Sequence, residues 1–239
     1  MMARGLSFLQ SLSHQQVKRW TIGLMRLQRA LPLSIIAAVL CLPLSVVAQS
    51  MRASDLGVGK MLVAPRECPD ANFARAVILL VQVDENGAVG LMINHRTTVP
   101  ISRALDQLKS ALNHKDPVYL GGPVDASTVL ALLRARTKPD EAQLVVGDIY
   151  LVGTRTLLER TLAAGTGPSE FRTYVGYCGW GPGQLETEMK LGAWFIFDGT
   201  TRLVFDSDPD SLWSRLIART EQKVAQTRLP ASVIEISWP

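Results

Sequence analysis

Apolar and polar positions recur along this chain with the two periods that strands and helices require. GKMLVAP at 59–65 is a short apolar run halted by Pro65, which predicts a strand. ARAVILLVQV at 74–83 is continuously apolar, so its strand should be buried on both faces. AVGLMIN at 88–94 follows Asn86-Gly87, a hairpin turn signal, and 76–94 reads as an antiparallel hairpin near the centre of the core. In ISRALDQLKSAL the apolar residues fall at 101, 104, 105, 108, 111 and 112, the spacing of a helix that starts after Pro100.

A strand is expected at 117–124, running into Gly121-Gly122; 125–135 reads as a strand or a short helix, with strand preferred, and TKPDEAQ is an exposed turn. LVVGDIYLVG at 144–153 reads as one strand or as a pair bent at Gly147-Asp148. Thr154 is an N-cap candidate for a helix with an apolar face of Leu157, Leu158 and Leu162 and a stop at Gly165. SEFRTYVGYCG is a strand, QLETEMKLG a short helix and AWFIF at 193–197 another strand. DPDSLWSRLIART at 208–220 is an amphipathic helix with Asp208 as N-cap and Pro209 at its first position. The tail, 221–239, ends in SVIEISWP, a candidate edge strand. This uneven alternation predicts an α/β (α+β) fold on a mixed sheet.

Charge changes the picture at the N-terminus. The formal net charge of the chain is +4, yet residues 1–48 hold five basic residues and no acidic one. Without them 20 basic residues face 21 acidic ones, so the body has no positive excess for phosphates, which argues against direct nucleic-acid binding. Residues 30–48 carry no charge and end in Val46-Val47-Ala48, a secretory signal pattern with a cut before Gln49. The expectation is an exported, periplasmic product. The alternatives are a membrane anchor through residues 30–48 and a cytoplasmic protein with an upstream extension. A start at Met25 gives a leader of ordinary size. The domain plan is therefore 1–48 leader, 49–58 flexible lead-in, 59–220 folded domain and 221–239 tail.

The candidate chemistry is sparse. Cys41 would leave with the leader, and Cys68 and Cys178 remain as a possible disulfide or as two half-buried thiols. His95 and His114 stand in no metal-ligand spacing and read as solvated loop residues, so neither a metal nor a cofactor is implied. No GxSxG occurs.

The densest motif is GYCGWGPGQLETEMK, 176–190. A glycine loop feeding a helix can cradle phosphate, but Glu186 and Glu188 in the first turns would repel one. Cys178 could be a nucleophile, although no base neighbours it in sequence. A structural corner fits most residues, with Trp180 as an apolar plug and the Gln184 amide bonding loop groups. Glu186 and Glu188, two apart on a helix, diverge and make a poor acid–base pair.

Five segments in order carry a resemblance: GKMLVAP, NFARAVILLVQVDENGAVGLMIN, VYLGGPV, YVGYCGWGPGQLETEMKLGAW and LVFDSDPDSLW. From about Gly59 to Arg219 the chain resembles the AlgH/YqgE family, also catalogued as UPF0301 or DUF179. The resemblance implies one α/β domain with a strongly bent, partly barrel-like sheet flanked by helices. It also implies a bacterial protein, and a label as regulator of exopolysaccharide (alginate) synthesis by transcriptional regulation. The matching motif positions are Asn94, Gly121, Gly122, Pro123, Gly176, Tyr177, Gly179, Trp180, Gly183, Gln184, Leu185 and Glu186. Members usually lack a leader, have alanine where Cys178 stands, and often carry histidines near Val83 and after 128–133 that this chain lacks. The reading is an uncharacterised binding or regulatory module, for an unknown protein or small molecule, with its surface on the 121–124 and 176–186 loops and Asn94 nearby. The alternative is a hydrolase-like enzyme using the 176–186 loop.

Overall fold

The computed structural model describes residues 55–228. The leader, most of the lead-in and the expected tail strand lie outside the described residues. Ten strands form one curled sheet, a half-barrel that is mainly antiparallel, with a few helices against it. The strand order is β10-β1-β2-β3-β9-β6-β8-β7, and a β4–β5 pair joins through β9.

Strand β1 (Lys60–Val63) lies between β2 (Val77–Asp84) and β10 (Phe195–Asp198). β2 turns into β3 (Gly87–Met92), so the expected hairpin forms, but its loop is Glu85-Asn86 and Gly87 already opens the return strand. The Asp84 carboxylate fixes that turn by accepting the Asn86 N–H at 2.7 Å. Val77 to Val81 are fully buried, because both faces of the sheet are covered. On one face Met61, Val63 and Leu79 meet α5 (Leu212–Arg228). On the other, Leu62, Ile78 and Leu80 meet α3 (Gln184–Lys190).

The central strand is β9 (Phe171–Trp180). One of its edges pairs with β6 (Val124–Arg134). Its other edge is shared: β5 (Pro117–Leu120) lies parallel to it at Tyr174 and Val175, and β3 lies antiparallel to it from Cys178 to Trp180. β6 then pairs with β8 (Ile149–Val152), and β8 with β7 (Gln143–Val146), the pair bent at Gly147-Asp148. Helix α2 (Arg155–Ala163) is capped by Thr154, whose hydroxyl accepts the Leu157 N–H at 3.3 Å.

The helix expected over 101–112 is instead α1 (Ile101–Ala104) followed by a 3₁₀ turn at Lys109–Ala111. The apolar spacing is real, since Ile101, Leu105, Leu108 and Ala111 are all buried. The segment returns on itself instead of running straight. Pro100 in β4 (Arg96–Pro100) pairs with Pro117 in β5, so the chain must return to its starting point. The Ile101 N–H donates to the Asp116 carbonyl at 2.8 Å and the Ser102 N–H to the His114 carbonyl at 3.1 Å, so the segment doubles back on itself. Asp208 also departs from expectation. Pro209 begins a 3₁₀ turn, and the Asp208 carboxylate accepts the Ser211 hydroxyl rather than a backbone N–H.

Candidate functional site

The glycine-rich stretch folds into a closed clamp. Trp180 at the end of β9 is buried, as is Trp194 just before β10. Both indole N–H groups donate to Glu188 Oε2 on α3, each at 2.9 Å. Glu188 Oε1 accepts from Gln184 Nε2 at 2.9 Å, and Gln184 Oε1 accepts the Gly181 N–H at 3.1 Å. Phe73 stacks on Trp180 and meets Trp194 edge-on, with ring centres 6.5 and 5.5 Å away. The polar groups that made the loop a binding candidate thus serve one another. Gly183 holds the left-handed conformation that starts α3, and Glu186 lies in the first turn.

Gly121, Gly122 and Gly176 mark a crossing of two backbones. A Cβ at Gly121 would lie 2.3 Å from the Gly176 carbonyl oxygen, and one at Gly122 2.1 Å from the Tyr177 carbonyl carbon. The chain passes here from β5 to β6 across the point where β9 exchanges β5 for β3. Pro123 is exposed beside this crossing, Tyr177 is buried and Gly179 is exposed with the Tyr177 ring beneath it. The following residues bulge, and Asp125 accepts from the hydroxyls of Ser127 and Thr128, which hold its carboxyl below the usual range. Asn94 is buried elsewhere. It accepts the Val77 N–H at 2.8 Å and donates to the Arg75 carbonyl at 2.9 Å, so it clamps the start of β2.

The cysteines correct the disulfide expectation: both are free thiols. Cys68 donates to the Asp70 carbonyl and Cys178 to the Gly121 carbonyl. Burial pushes the Cys178 thiol far up, which removes it as a nucleophile. The histidines are half-buried rather than solvated. Burial lowers His95, and His114 Nε2 lies 2.8 Å from the Leu162 carbonyl, tying its loop to α2. Among the described residues no group of three or more His, Cys, Asp or Glu could hold a metal ion.

A cleft of about 710 Å³ opens elsewhere, where the end of β6 meets α4 (Thr201–Val204) and the start of α5. Arg134, Arg202 and Arg215 line it together with Ser169, Thr201, Asp206, Asp208 and Ser211. Arg134 Nε lies 2.7 Å from Asp148 Oδ2, and Arg215 lies 2.8 Å from Asp206 Oδ1. Beneath the floor is the buried guanidinium of Arg172. It donates to the carbonyls of Pro168, Val204 and Asp206 and packs on the rings of Tyr119 and Phe205. Among the described residues it makes no ion pair. These groups come from four separate segments, so no local motif announced them. Arg215 lies in the 208–220 segment, whose amphipathic pattern marks a helix and not a site.

The AlgH-like family model matches residues 61–225. The chain belongs to the AlgH-like family. A UPF0301 protein of Chlorobium luteolum is 31% identical over 163 residues, covering 68% of this chain and 85% of that protein. One from Sphingopyxis alaskensis is 34% identical over 165 residues, covering 67% and 87%. Among solved AlgH-like structures, the AlgH protein of Pseudomonas aeruginosa superposes with a TM-score of 0.57 at 28% identity, over 73% of this chain and 95% of that one. A crystal structure of a Corynebacterium diphtheriae protein shares the fold with a TM-score of 0.57 at 22% identity, over 72% and 91%. The AlgH-like match stops at 225, so residues 226–239 lie past it.

Proposed function

We propose that this AlgH-like protein is a non-catalytic binding module, serving regulation, that takes a small carboxylate or phosphate ligand in the cleft beside α4. The observation that carries this is the charge arrangement. Arg134, Arg202 and Arg215 line the cleft with only two carboxylates, Asp206 and Asp208; Arg172 lies beneath it, while Asp148 and Glu170 act on Arg134 from outside the lining. A buried cation bonded only to carbonyls projects its field into the cleft with little screening. Ser and Thr hydroxyls supply the remaining donors. The 121–124 and 176–186 loops are then scaffold. Against the hydrolase reading of that loop stand the burial of Cys178 and the engagement of Glu188, which leave Glu186 as its one remaining candidate group.

The test is titration of the protein with inorganic phosphate and with citrate, followed by backbone amide shifts. Shifts should gather at 134 and 201–215, weaken with salt and vanish in Arg202→Glu. Shifts gathered at 176–186, or none with either anion, would sink the reading. Turnover of ester or phosphoester substrates would sink the non-catalytic part.

A further inference from the structure

We propose, on that reading of the cleft, that a bound anion unlatches the β7–β8 turn from α4, so that this hairpin loosens when the cleft fills. The sheet curls until its β7 end comes back to the β1–β2 side. Gln143 Nε2 donates to the Val81 carbonyl at 3.0 Å, where the β2–β3 register shifts between Leu80 and Gln82. A Cβ on Gly59, just before β1, would lie 2.7 Å from the Val145 carbonyl oxygen, so the two chains touch there. Among the described residues β7 pairs with β8 alone. Side chains and packing, not a ladder, hold this seam.

Asp148, in the turn between β7 and β8, is the latch. Its Oδ1 accepts the Thr201 hydroxyl of α4, and its Oδ2 accepts Arg134 Nε at 2.7 Å. Thr201 belongs to the opposite side of the seam, because the Gly199 N–H just before it donates to the Gly59 carbonyl at 2.9 Å. Both donors to Asp148 line the cleft. That shared use couples the two. A threonine hydroxyl has one proton, and once it donates to a phosphate or carboxylate oxygen in the cleft, Asp148 Oδ1 loses it. The anion also draws on the Arg134 guanidinium and repels the Asp148 carboxylate as a like charge. Bound anion and closed latch therefore compete, and occupancy shifts the balance toward the open turn.

The hairpin is built to part at this place. Ile149 is fully buried and β8 is laddered to β6, so the inner strand is anchored. β7 is the outer strand. Its pairing with β8 is irregular between Leu144 and Val146, and Leu144 is 52% exposed. Once the latch opens, β7 is held at the seam by the Gln143–Val81 bond and the packing of Val145 and Val146.

The test is hydrogen exchange of the full chain with inorganic phosphate and with citrate, each at saturation. With the anion that binds, peptides over 143–149 should exchange about tenfold faster while β9 peptides hold their rate. Binding alone stabilises the folded state and slows exchange, so a segment that speeds up marks the latch. Thr201→Val should show the fast rate without anion and no further rise with it. Gln143→Ala loosens the same seam without touching the cleft lining, and because coupling is reciprocal it should bind the anion about fivefold tighter. Amide shifts at 134 and 201–215 report binding separately. Shifts there with no faster exchange at 143–149, or with no gain of affinity in Gln143→Ala, would overturn the latch and leave the binding reading standing. No shifts with either anion would overturn the binding reading and anion control of the latch together.

Discussion

Glu188 holds Trp180 by its indole N–H, Nε1 to Oε2 at 2.9 Å, and the same oxygen holds Trp194. One carboxylate on a seven-residue helix thus joins the end of β9 to the start of β10, 14 residues apart as the tryptophan numbers stand. Removing it leaves two indole donors and the Gln184 amide without their acceptor. Glu188→Ala should cost about 2–3 kcal/mol. Urea unfolding followed by tryptophan fluorescence measures it, and a loss under about 0.5 kcal/mol would show that water replaces the carboxylate freely.

The backbone crossing at Gly122 makes a sharper demand. Gly122→Ala places a methyl group 2.1 Å from the Tyr177 carbonyl carbon, against backbone that has no rotamer to turn. The expected loss is about 3 kcal/mol or more. Gly167→Ala is the control, with nothing within 4 Å of the added Cβ, and should unfold at the parent's urea midpoint.

The two thiols should separate by accessibility. Cys68 is partly exposed and Cys178 fully buried, its thiolate disfavoured by that burial. Iodoacetamide on the folded protein should label Cys68 first and Cys178 only on unfolding. Intact mass reads the count. Equal labelling rates would contradict the packing of Cys178 against Gly121.

Acid should weaken the fold through two carboxyls. The Ser127 and Thr128 hydroxyls lower Asp125, and the Thr201 hydroxyl with Arg134 lowers Asp148, both from an ordinary value of 3.8. A depressed folded value means the unfolded chain binds more protons. The stabilisation is therefore complete above pH 3.8 and drains away as pH falls through the lower folded values. Asp148→Asn should flatten the acid limb of the stability curve and leave its neutral plateau lower. An unchanged acid limb would exclude Asp148 as a contributor.

Most of the sheet was readable in advance because burial forces a period. The β2–β3 hairpin, the bend at Gly147-Asp148 and the Thr154 cap are all local chemistry. β4 was missed because Arg-Thr-Thr-Val-Pro is polar and ends in proline, and an edge strand bonded on one side needs no apolar run. Over 101–112 the apolar spacing is that of a helix, but the Ile101 and Ser102 N–H groups bond to Asp116 and His114, partners that no helical window contains. At the clamp, Trp180 as plug and Gln184 as loop partner were legible. The bonds from Glu188 to the two indoles are not legible in sequence, because Trp194 reaches it through tertiary folding. The cleft arginines are ordinary surface residues until β6, α4 and α5 meet.

The order in which β1 acquires neighbours has a kinetic consequence. Its pairing with β2 is nearly local, whereas Lys60 and Asp198, ion-paired across β1 and β10, stand 138 residues apart. Loop closure over such a distance is slow, and it cannot begin until the chain has been made past residue 198. Through most of synthesis one edge of β1 therefore stays open, and a growing chain with an open edge is the form that a chaperone or a translocation channel can still hold.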